Sequence, residues 1–145
     1  MSDGTKTDLR LEDFPGRAYD KLRYGDTDRQ GHVNNAVFAT FMETGRVELI
    51  YAEDEPLLEP GFSFVLAKLD IDYLAEVLWP GTVEIGTRVL KVGRSSATME
   101  QAVFQNGICC ALALTVVVHF DQQTRKSHPF SEDQRFRLAR WMQAV

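Results

Sequence analysis

The sequence predicts an α+β domain in which one antiparallel β-sheet wraps around a single long α-helix. Three observations predict it. Val37, Phe38, Phe41, Met42, Gly45 and Leu49 recur at three- and four-residue spacing, which marks one face of a helix of about four turns. One strand-like segment precedes that stretch, and four follow it before a short C-terminal helix. The chain has 145 residues, with no internal repeat, linker or low-complexity tract, so a single core must bury both the helix and the sheet.

Taken in order, residues 1–16 form a flexible or loosely packed lead-in. They are polar, with four acids against two bases up to Phe14, and hold no apolar core of the kind a signal peptide needs. Residues 17–145 form the domain. Residues 17–24 place Ala18, Leu22 and Tyr24 on one strand face, interrupted by Asp20. Residues 25–33 carry turn chemistry, and Asn34 or Asn35 is suited to cap the long helix. Gly45 on the apolar face would let another element approach closely. Glu55-Pro56 lies beyond the helix end, and Pro60-Gly61 marks a turn.

Residues 62–74 alternate, with Val65, Ala67, Leu69, Ile71 and Tyr73 on one face against Lys68, Asp70 and Asp72. Residues 82–91 place Val83, Ile85, Thr87 and Val89 on one face. Residues 94–105 are less regular, but Asn106-Gly107 after them is a two-residue hairpin signal. Residues 108–120 are almost continuously apolar, as a central strand covered on both faces would be. Ser131 can cap a helix running to Trp141, with Phe136, Leu138 and Trp141 as its apolar residues.

Sixteen basic and twenty-one acidic residues give a net charge of −5, which disfavours non-specific nucleic-acid binding. No apolar run is long enough to span a bilayer. The adjacent Cys109 and Cys110 lie in an apolar run and read as buried free thiols of a reducing cytoplasm.

Chemistry concentrates in residues 24–46, Y-G-D-T-D-R-Q-G-H-V-N-N-A-V-F-A-T-F-M-E-T-G-R. Asp26, Asp28 and His32 are titratable groups beside a helix N-terminus, which offers free N–H groups and a partial positive charge. That combination suits a reaction that develops negative charge on a carbonyl oxygen. The run D-x-D-x-x-G-H-V-N-N followed by F-x-x-F-x-E resembles the signature of hot-dog-fold acyl-CoA thioesterases, the group that includes 4-hydroxybenzoyl-CoA thioesterase. Plant acyl-carrier-protein thioesterases carry a similar D-x-D-x-N-x-H-V-N-N. The resemblance covers residues 18–121. It implies the hot-dog fold, hydrolysis of an acyl-CoA thioester (an acyl carrier protein thioester being possible), and a homodimer or dimer of dimers.

The resemblance also implies roles. Asp28 matches the catalytic second acid, which acts as base or nucleophile. Asn35, seven positions later, matches the residue whose backbone N–H polarises the carbonyl. His32 matches a functional histidine of the plant signature, and Gln30 replaces its asparagine. Gly31 permits a sharp turn or a close approach of substrate. The side chains of Asn34 and Asn35 read as helix caps, and Asp26 as a loop-shaping acid. Glu43 is a reserve candidate, because a second branch of the family uses a helix carboxylate; it can also pair with Arg46 on the helix surface. Arg94, Ser95 and Ser96 stand where the family often has G-x-S-S. With Arg125 and Lys126, Arg94 is a candidate phosphate contact at a dimer surface. The family's strand continues Y-L-x-P; here Tyr73-Leu74-Ala75-Glu76 lacks the proline. His119 and His128 read as structural. Asp26, Asp28 and His32 match no tight metal site, and neither metal nor cofactor is expected. Two other functions compete: a non-catalytic acyl-thioester binding or regulatory domain, and an acyl-thioester hydratase or dehydratase.

Overall fold

The computed structural model describes residues 8–52 and 57–143. Its elements are β1 (Gly16–Lys21), α1 (Val37–Ile50), β2 (Phe62–Tyr73), β3 (Thr82–Val92), β4 (Ser96–Gln105), β5 (Ile108–Asp121), β6 (Lys126–Ser127) and α2 (Glu132–Ala139). Every pairing is antiparallel, in the order β1-β3-β4-β5-β2, with β6 beside β5. This sheet curls around α1, the hot-dog arrangement that the resemblance implied. The Glu55-Pro56 break after the helix lies outside the described residues.

Two apolar clusters share the helix. Phe38, Phe41 and Met42 pack with Leu22, Val77 and Ile85 at its N-terminal half. Leu49 and Ile50 pack with Leu57, Val89, Met99 and Leu138 at the other. A buried polar pin joins helix to sheet between them. Gln101 Nε2 donates to the Met42 carbonyl (2.8 Å) and to Thr87 Oγ1 (3.0 Å), and Thr115 Oγ1 donates to Gln101 Oε1 (2.9 Å). Close approach here depends on Gly45. A Cβ there would lie 2.7 Å from Ile85 Cγ2 and 2.8 Å from Thr87 Oγ1. Glycine to alanine in a helix normally stabilises by about 1 kcal/mol. Overpacking of a core costs typically ~1–3 kcal/mol, and here both neighbours stand on the sheet. Gly45→Ala should therefore lower stability, by up to about 2 kcal/mol in a urea titration.

Local chemistry forms what it promises at several places. Asn106 and Gly107 take positive φ (52° and 78°) in the β4–β5 hairpin. Ser131 caps α2 in a reciprocal box with Gln134. Cys109 and Cys110 are free and buried, and burial pushes the Cys109 thiol up to about 11.

Four expectations need correction. Residues 62–74 do not keep one apolar face, because a bulge between Leu66 and Lys68 leaves Ala67 unpaired against β5. The extra residue shifts the alternation, so Phe64 faces the core before it and Leu69 and Ile71 after it, while Val65 and Ala67 are exposed. The lead-in is packed at its end. Phe14 is fully buried, edge-on to Phe104, over the bare face of Gly86, where a Cβ would meet the ring at 2.5 Å. Residues 1–7 lie outside the described residues. β1 stops at Lys21, and Tyr24 lies exposed in a short 3-10 turn, against Trp79. In α2, Phe136 is exposed and Gln134 is buried instead, donating to the Leu57 carbonyl (2.8 Å).

Candidate active site

The loop between β1 and α1 is tied down at both ends. Asp26 is the buried acid of the pair. Its carboxylate accepts from the Arg23 backbone N–H (2.9 Å) and guanidinium (3.1 Å), and its carbonyl accepts from the Asn34 N–H (2.8 Å). This is the loop-shaping role expected of it. Across the cleft, the Val33 N–H donates to the Val77 carbonyl (2.9 Å), joining the loop to the segment after β2.

Between these ties the chain turns at Gly31, whose φ is +83°. The turn wraps around Asp28. Asp28 Oδ1 accepts from the N–H groups of Gln30 (2.9 Å) and His32 (3.2 Å), and the Asp28 N–H donates to the His32 carbonyl (2.8 Å). Asp28 Oδ2 has no partner among the described residues, and the side chain is exposed in the single chain. The His32 ring does not turn to Asp28. Its Nε2 lies 2.8 Å from Glu76 Oε2.

The helix opens one residue pair before α1 proper. Asn34 Oδ1 accepts from the Ala36 N–H (3.0 Å), and the Asn34 and Asn35 carbonyls accept from Val37 and Phe38 (2.9 and 3.3 Å). Asn34 is thus the capping side chain, and Asn35 occupies the first turn. The Asn35 N–H has no acceptor among the described residues, as expected of a first-turn amide. Tyr73 Oη donates to the Asn35 carbonyl (3.0 Å), which fixes this turn against β2.

These residues line one open cleft of about 320 Å³. Asp28, Gln30, His32 and Asn35 form one wall; Phe38, Tyr73 and the segment Leu74 to Val77 form the other. The sequence reading missed Glu76 and Tyr73 as members. One signal was present: Glu76 stands where the family's Y-L-x-P has proline, and the substituted carboxylate holds the His32 ring.

The remaining candidates lie elsewhere. Arg94 and Ser95 lie in the β3–β4 turn and Ser96 opens β4, about 30 Å from the cleft along that strand. Their carbonyls accept from Phe130 (2.9 Å), His119 (2.7 Å) and Gly93 (2.7 Å), so the backbone of this turn is structural. Arg94, Arg125 and Lys126 are exposed. Glu43 is also exposed, outside the cleft, and makes no ion pair with Arg46. His119 is buried, stacked between Phe62 and Phe130, with Nδ1 2.9 Å from the His128 carbonyl.

The sequence profile of the thioesterase-like superfamily matches residues 22–141. The chain belongs to the thioesterase-like superfamily. At the level of that family it is a thioester hydrolase. An acyl-CoA thioesterase, YbgC of Haemophilus influenzae, is 27% identical over 124 residues, covering 83% of this chain and 88% of its own. A thioesterase from Thermus thermophilus, solved in complex with coenzyme A and Zn, is 37% identical. It superposes with a TM-score of 0.79 over 90% of this chain and 96% of its own. A Pseudomonas aeruginosa protein at 24% identity shares the fold, with a TM-score of 0.83 over 94% of this chain and 97% of its own. Among the described residues, no helix is long and apolar enough to cross a membrane.

Proposed function

We propose that this protein hydrolyses an acyl-CoA thioester to the free acid and CoA in the cytoplasm. The observation that carries the reading is the pairing, in one cleft, of a carboxylate oxygen and a helix-terminal N–H that are both without partners among the described residues. The thioester carbonyl lies with its oxygen toward the Asn35 N–H. Asp28 takes a proton from water as that water's oxygen bonds the carbonyl carbon, or attacks the carbon itself to give an acyl-Asp28 anhydride that water then hydrolyses to the free acid. The tetrahedral oxyanion gains charge at the positive end of the helix. Its collapse breaks the carbon–sulfur bond, and the CoA thiolate leaves and takes up a proton. The His32 and Gln30 amides aim the Asp28 carboxylate, and Glu76 keeps the His32 ring against the cleft wall.

The site is completed by a second copy of the chain. Among the described residues β2 is bonded only to β5, and its open edge carries exposed Val65 and Leu66 at mid-strand. Such an edge calls for a partner. Antiparallel self-pairing about the strand centre sets the Phe62 end of one β2 beside the Tyr73 end of the other. The Phe62 end is where β6, Arg125 and the Arg94–Ser96 turn gather, since His119 pairs with Phe64 and its N–H reaches Ser95. One subunit's basic residues thereby reach the other's cleft, where they suit the phosphates of CoA. The assembly is a homodimer or a dimer of dimers.

The exposure of Asp28 and the commitment of its Oδ1 to loop amides also suit a module that binds acyl thioesters without turnover. The two readings separate in a thiol-trapping assay over short, long and aromatic acyl-CoAs and the matching acyl carrier protein thioesters. Release of thiol is expected from at least one acyl-CoA. Binding of the thioesters with no release across the series would establish the non-catalytic module instead.

A further inference from the structure

Arg46 is 7% exposed, and it makes no hydrogen bond or ion pair with any described residue. Its Nη1 is enclosed and without a partner. A buried guanidinium without an acceptor is strongly disfavoured, and burial accordingly pulls the Arg46 pKa down, with Glu43 opposing. The side chain lines a groove between α1 and β2, formed with Glu43, Val47, Tyr51, Phe64 and Leu66. This groove shares no lining residue with the Asp28 cleft. Its rim is apolar and exposed at Val47, Tyr51 and Leu66, the last at 49%. Leu66 stands at the bulge in the middle of the open edge strand. Two-fold pairing of β2 with itself about the strand centre therefore brings the two grooves face to face, and in such an interface residue i meets j as j meets i.

We propose that the missing acceptor is the Glu43 carboxylate of a second copy of this chain, so that two Arg46–Glu43 pairs form across the dimer axis. The inference rests on the dimer described above. Charge supports it over a small anion: two Arg46 and two Glu43 sum to zero in the closed groove, whereas an added anion would meet Glu43 on the rim. The apolar rim supplies the contact area around the pairs, and desolvation within it strengthens them.

Sedimentation velocity over a dilution series of the full chain tests the proposal. Glu43→Gln should raise the dimer dissociation constant tenfold or more, and Glu43→Arg should raise it further. Arg46→Met should weaken the dimer similarly, and the double variant Glu43→Gln/Arg46→Met should lose much less than the two single effects combined. Glu43 is exposed, so its variants carry the test even if Arg46→Met fails to fold. Parental dissociation constants for both Glu43 variants would overturn the pairing. Leu66→Lys separates the two readings. If it yields monomers while Glu43→Gln stays a parental dimer, the dimer stands and the ion pair falls. A parent chain that is monomeric at micromolar concentration overturns both.

Discussion

Asp28→Asn should lower thioester turnover by on the order of 10²-fold or more while leaving the fold intact. The loop needs only an acceptor at this position. The Gln30 and His32 amides donate to Oδ1, and an asparagine carbonyl oxygen of the same size accepts in the same way. The reaction needs more than an acceptor. An amide neither takes a proton from water at neutral pH nor attacks a carbonyl carbon usefully, so the chemical step fails while the loop stays folded. Glu43→Gln is the matched control. Held at protein concentrations well above dimer dissociation, it should keep turnover within a few-fold. Thiol-release kinetics with a thermal melt on each variant check both statements. Should the two variants exchange behaviour, the helix carboxylate performs the chemistry and the cleft only binds.

Asn35→Pro should cost a comparable amount by a different route. Proline removes the one amide in the first turn that has no acceptor among the described residues, and that turn tolerates it, since its fixed φ suits the position after a cap. The Asn34 cap survives, because its side chain bonds the Ala36 N–H, and the Tyr73 contact is to the Asn35 carbonyl, which proline retains. Fixed donors to a developing oxyanion are worth roughly 2.7–4 kcal/mol, so a loss of about 10²–10³-fold in kcat is expected with a melting temperature near the parental one. Asn35→Ala keeps the donor and should retain much of the activity. A folded Asn35→Pro variant with near-parental turnover would place the carbonyl oxygen against some other group.

What the sequence made legible was local. Helix α1 follows from its apolar spacing, the β4–β5 hairpin from Asn106-Gly107, and the start of α2 from the Ser131 box, since each is decided by residues adjacent in the chain. The Asp28–Asn35 half of the cleft was legible for the same reason. What escaped depends on distant partners. The bulge in β2 exists only through its register with Val116 and Val117. Phe14 reads as part of a charged lead-in until Gly86, on another strand, leaves it a bare surface. Glu76 reads as a missing proline until the fold brings it to His32. Arg46 looks like a surface partner for Glu43 because helical spacing says nothing about which side of the helix the groove closes on.

The central claim is that the Asp28–Asn35 cleft turns over acyl-CoA thioesters, and the most direct measurement is release of free CoA thiol at saturating acyl-CoA. The parent and Asp28→Asn should be compared side by side, both verified as folded. The account predicts multiple turnovers by the parent and a rate lower by on the order of 10²-fold or more in the variant. A parent that binds acyl-CoA without releasing thiol, or a variant that matches the parental rate, would contradict it.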